Sequence, residues 1–256
     1  MGMDNWVIGS STSHWTGKVD FVKMYAAGAR FWIAKATDAY KVSGVQFEDS
    51  LFKQHCEAAF ANNLLLKGCY HWLQASVDPI VAADFYLERY KRYPFEFPPI
   101  MDFEETSVRD TGRFSDYAWR AQMWCKRVEE VTGRKPIIYT AKWFTNYFKT
   151  EFISWMNAYP LWVADYTWWA NNVTKAPYYM PSNVWSDWAF WQNSADGNKR
   201  GKEFGQEAAD VELTFYQGDY SQLLEWLKVE PEPEPELLTL EGLGKRVDKL
   251  EDAVFG

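Results

Sequence analysis

Short apolar runs alternate with amphipathic stretches along most of the chain. Trp6–Gly9 predicts a strand, Val19–Ala27 a helix ending near Gly28, and Ala29–Thr37 (ARFWIAKAT) a second strand. Asp49–Asn62 has helical spacing, and Leu64–Leu73 is a third apolar run. Asp78-Pro79 opens a helix to about Arg92, with proline in the first turn, where its missing N–H costs nothing. Pro98–Glu104 predicts the fourth strand, Ser115–Thr132 a helix with Gly133 as its C-terminal cap, and Pro136–Ala141 (PIIYTA) the fifth strand. Beyond it, Leu161–Tyr166, Ala189–Asn193 and Asp210–Phe215 predict strands joined mainly by loops, and Ser221–Lys228 a closing helix. Strand, helix, strand in series implies parallel strands with right-handed crossovers. The expected fold class is therefore α/β: an irregular TIM-like (β/α) barrel with helices reduced in its second half. In such barrels the chemistry collects at the carboxyl ends of the strands.

The barrel is expected over residues 1–228. A Pro-Glu linker, 229–236 (VEPEPEPE), follows and should be extended and stiff. In residues 237–256, Leu240, Leu243, Val247, Leu250 and Val254 alternate at three- and four-residue spacing, the seam of a short coiled-coil-like helix. Weak homo-oligomerisation through this tail is one expectation; a frayed amphipathic tail is the other.

The segment PPIMDFEET, residues 98–106, carries the candidate chemistry. On a strand, Asp102 and Glu104 face one way and Phe103 the other. Two strand rises separate their backbones by about 6.5 Å, within the roughly 5–9.5 Å over which two carboxyls act on a glycosidic bond. Like charges this close raise one carboxyl's pKa and keep it protonated near neutrality. The same acids, with Glu105, would also suit a strand end opening into a solvated loop.

Composition narrows the function classes. The 256 residues hold 15 Trp, 15 Tyr and 17 Phe; such faces stack on sugars, and they also fill barrel cores. A net charge of −8 without a basic stripe argues against nucleic acid. No run of about 18 apolar residues is present, so no membrane partner is expected, and MGMDNWVIGS lacks the form of a secretory signal. Cys56, Cys69 and Cys125 are an odd set without paired spacing and are expected to be buried free thiols. His14, His55 and His71 lack ligand spacing, so neither a metal nor another cofactor is expected.

Taken in order, the segments resemble the glycoside hydrolase family 25 muramidases, the lysozymes of bacteriophage and certain bacteria and fungi. GSSTSHWTG (9–17), FWIAKATD (31–38), GCYHWLQAS (68–76), IMDFEE (100–105), PIIYTAKWF (136–144), YPLWVADY (159–166), FWQNSADG (190–197) and Ala209-Asp210 carry the likeness. The resemblance implies cleavage of the β-1,4 bond between N-acetylmuramic acid and N-acetylglucosamine in peptidoglycan glycan strands. It places Glu104 as general acid, Asp102 as the partner that assists the substrate's N-acetyl group, and Asp210 as a last-strand acid. Tyr70 and Tyr139 fall on cleft tyrosines, and Trp162 and Trp191 join them as substrate-binding candidates. The resemblance also implies synthesis in a host cytoplasm and action on the cell wall, as a phage endolysin or virion-associated enzyme. The family's first-strand aspartate is Ser11 here. That exchange opens two other readings, a catalytically weakened peptidoglycan-binding module and a structural phage-particle component.

Overall fold

The computed structural model describes residues 5–105, 107–166 and 177–230. The chain divides into two compact units, residues 1–220 and 221–256. The first is the barrel. Of the second, the described residues carry most of a helix spanning Tyr220–Leu227; the predicted seam of residues 237–256 lies outside the described residues.

Eight strands close on themselves. In chain order they are β1 (Val7–Thr12), β2 (Phe31–Ala39), β4 (Leu66–Trp72), β5 (Ile100–Asp102), β6 (Ile137–Ala141), β7 (Leu161–Ala164), β8 (Phe190–Ser194) and β9 (Glu212–Tyr216). The circuit runs β1-β9-β8-β7-β6-β5-β4-β2 and back to β1. A ninth strand, β3 (Gln46–Glu48), pairs antiparallel with the far end of β2.

The pairs from β1–β2 round to β7–β8 are parallel, as the alternation predicts. The last strand departs from that expectation. β9 runs antiparallel to both β8 and β1. The 17 residues between β8 and β9 form only a short 3-10 turn and loops, with no crossover helix to carry the chain back to its starting end. β1 also runs three residues beyond the predicted Trp6–Gly9, as far as Thr12, which brings Ser11 inside the strand.

Helices cover the first half of the barrel. The strongest are α2 (Phe52–Asn62), α3 (Pro79–Tyr90) and α5 (Phe114–Thr132). Asp78 caps α3 by accepting from the N–H groups of Ile80 and Val81, and Gly133 ends α5 in the left-handed conformation at φ 65°. Between β6 and β7 the described α-helices shorten to four-residue pieces, Lys142–Thr145 and Thr150–Ile153.

Strand alternation divides the aromatics between two cores. Outside the barrel, Phe103 stacks on Tyr117 of α5 at 4.8 Å and packs edge-on to Phe144. Inside it, Phe31, Ile33, Phe97, Ile100, Ile137 and Phe190 fill the lower barrel and close that end. Gly9 is small because the Phe31 ring occupies the space of a β-carbon, with its nearest atoms 2.2 Å from that position. Gly9→Ala is expected to cost about 1–3 kcal/mol by overpacking. Urea unfolding measures this, and an unchanged midpoint would mean the ring swings aside freely.

Candidate active site

Seven of the eight barrel strands, all but β2, turn a side chain inward at the same end. There, Ser11, Tyr70, Trp72, Asp102, Tyr139, Trp162, Gln192 and Glu212 line a cleft, joined by Glu104 and by Ile100 below. This is the carboxyl end of the parallel strands, where the alternation placed the chemistry.

The acid pair is held by its backbone. β5 ends at Asp102, but Phe103 N–H donates to Tyr139 O at 2.9 Å, and Thr140 Oγ1 donates to Phe103 O at 2.9 Å. The extended path therefore continues one residue past the strand. Phe103 points into the outer core and Glu104 returns to the cleft beside Asp102. Glu105 does not open into solvent. It is buried, accepting from Ser107 N–H at 2.7 Å and pairing with Lys41 at 3.4 Å.

Crowding and burial set the electrostatics. Burial first, then the charge of Glu212, raise the Glu104 carboxyl to about 7. Burial, and then Glu104, push Asp102 well above the ordinary carboxyl range. Burial also raises Glu212, opposed by a hydrogen bond from Ser11 and by the charge of Lys35. The Lys35 ammonium binds Asp38 at 2.6 Å and lies 4.7 Å from the centre of the Trp72 ring. At neutral pH such a cluster retains protons that isolated carboxylates would have lost.

Other cleft groups are fixed as donors and acceptors. Tyr139 and Tyr166 both donate to Gln192 Oε1, at 2.7 and 2.8 Å. Asp102 Oδ1, Trp72 Nε1 and Trp162 Nε1 are buried and have no protein partner among the described residues. An acceptor and two indole donors of this kind make a cleft that is better satisfied with a polar ligand in it.

Most of the predicted site residues meet here: Glu104, Asp102, Ser11, Tyr70, Tyr139 and Trp162. Two do not. Asp210 is exposed, lies two residues before β9, and pairs with Lys199; the last-strand acid in the cleft is Glu212. Trp191 points outward from β8, packing edge-on to Trp188 and donating to Asp165 O, while its neighbour Gln192 points inward. Glu212, Gln192, Trp72 and Lys35 were not expected as site residues. The missing helix before β9 was the one signal for Glu212. In an antiparallel last strand, the first residue, not the last, reaches the cleft end.

Relatives share this architecture. A structure of a family 25 glycosyl hydrolase from Bacillus anthracis superposes with a TM-score of 0.69 at 18% identity, covering 88% of this chain and 94% of that one. Lysozyme M1 of Streptomyces globisporus is 25% identical over 228 residues, 85% of this chain and 70% of its own length. The uncharacterized protein YegX of Escherichia coli strain K12 is 32% identical over 200 residues, 75% of this chain. The chain spans 65% of YegX's length. The model for glycosyl hydrolases family 25 matches residues 11–202, from the Ser11 strand through the acid pair and on past β8. With three quarters of the sequence matched and the barrel shared, the chain belongs to glycosyl hydrolase family 25.

Proposed function

We propose that the protein is a muramidase that hydrolyses the β-1,4 bond between N-acetylmuramic acid and N-acetylglucosamine in cell-wall peptidoglycan. The observation that carries the reading is the placement of Asp102 and Glu104 side by side in one cleft, with Glu104 poised near neutrality. Glu104 donates its proton to the glycosidic oxygen as the bond breaks. The oxygen of the substrate's own N-acetyl group attacks the anomeric carbon, and Asp102 accepts from the N-acetyl N–H. The unpartnered Asp102 Oδ1 supports that role. This substrate-assisted route is a known exception to the two-carboxylate scheme. Trp162, Tyr70 and Tyr139 give the sugar its apolar and hydroxyl walls.

Purified walls, followed by loss of turbidity and by release of reducing ends, test the proposal. Release of N-acetylmuramic acid reducing ends supports it, and walls that bind the protein without being cut would favour a binding module. Ser11, which brings no charge of its own to the cleft, is what motivates that second reading.

The pH profile follows from Glu104. Its protonated form is the working acid, and its carboxyl is raised from 4.5 to about 7. The rate is therefore expected to hold below that point and fall about tenfold per unit well above it. A rate still rising at pH 9 would exclude Glu104 as the proton donor.

A further inference from the structure

The closed circuit puts β9 opposite the acid pair. Counting round the eight strands from β5, β9 is the fourth in either direction. Glu212 therefore looks across the cleft at Asp102 and Glu104 rather than sitting beside them. It is also held in place. Ser11 and Glu212 are direct partners in the antiparallel ladder, and Ser11 Oγ donates to Glu212 Oε2. A hydroxyl donating to a carboxylate favours its charged form.

We propose that Glu212, anchored by the Ser11 hydroxyl, is the positioning charge that keeps the proton on Glu104 until a leaving group takes it. This deepens the muramidase reading and rests on Glu104 being the acid. The surroundings offset the charge of Glu212 only in part, through Lys35. Lys35 faces the cluster from β2, but its ammonium is bound to Asp38. Lys41, between β2 and β3, is paired with Glu105. From β6 and the end of β7, Tyr139 and Tyr166 spend their hydroxyl protons on Gln192. Tyr70 on β4 is neutral, its hydroxyl pushed well above the usual range by burial and then by Glu212. Asp102 is the other acid facing Glu104 across the short step of β5. Among the groups that act on Glu104, Glu212 follows burial itself. In this chain Ser11 is thus more than an uncharged replacement: it is the donor that keeps the opposite wall negative.

The test combines a resting-state measurement with an activity profile on the full chain. Carbon-13 labelling of the glutamates, with Glu104 assigned by the loss of its signal in Glu104→Gln, follows its titration directly. In Glu212→Gln the Glu104 midpoint is expected to fall by about one pH unit, as one unit charge across a cleft requires. The alkaline limb of wall lysis should fall with it, leaving the rate at pH 8 about tenfold lower relative to its acid plateau. Ser11→Ala should move both in the same direction by less, because it weakens the anion without removing the carboxyl. If Glu212→Gln fails to fold, shown by loss of near-ultraviolet circular dichroism, Ser11→Ala decides. A Glu104 midpoint that stays in place in the folded variants overturns the proposal. A midpoint that moves, in a wild-type protein that does not cut walls, keeps the coupling and removes the muramidase reading instead.

Discussion

Glu104→Gln is expected to lower wall lysis by about 10³-fold or more, with the fold intact. The amide keeps the shape of the side chain and has no transferable proton, so the leaving oxygen must depart as an alkoxide. Positioned general acids contribute about 10²–10⁴-fold, and the cleft tyrosines are no ready substitute: Tyr70, Tyr139 and Tyr166 all hold their protons far more tightly than Glu104. The substitution also relieves like-charge crowding with Asp102 and Glu212, so thermal stability should be equal or slightly higher. Initial lysis rates and a melting curve measured together decide the matter. Lysis near the parent rate would remove Glu104 from the reaction.

Asp102→Asn should cost roughly 10²–10⁴-fold, the range seen for groups aimed at developing charge. Its Oδ1 is the unpartnered acceptor in the cleft. The asparagine leaves an acceptor but replaces the other oxygen with an amide, which cannot ionise to balance the positive charge that builds as the N-acetyl group attacks. The loss should fall on kcat more than on KM, because that charge is absent from the bound ground state. A purely structural role would instead lower the melting temperature and leave the kcat of the folded fraction unchanged.

The fold and the acid pair were readable because period-two and helical patterns are local. The nine-residue FWIAKATDA strand is buried throughout, as a strand covered on both faces must be. Asp78-Pro79 and Gly133 mark helix ends by chemistry confined to two or three residues. Asp102, Phe103 and Glu104 divide between cleft and outer core by simple alternation. What escaped is non-local. Whether β9 runs up or down depends on a loop, and its register against β1, which pairs Glu212 with Ser11 and leaves Asp210 outside the strand, decides between the two as the cleft acid. Trp191 and Gln192 are adjacent, and no composition rule says which of them faces inward; the register of β8 against β7 and β9 does. Lys35 is hidden among apolar neighbours in β2, where its partner, Asp38, lies only three residues away.

The antiparallel β9 also orders events in time. It is the last barrel strand to leave the ribosome, and it must slot between β8 and β1, whose edges stay open until it does. Its contacts with β1 join residues about 200 positions apart, such as Ser11 and Glu212. Long closures of that kind come late in folding. A nascent chain therefore carries Asp102 and Glu104 well before it carries the charge that faces them. Barrel closure and completion of the cleft are one step, so a chain stalled before residue 212 is an unfinished acid as well as an unfinished sheet.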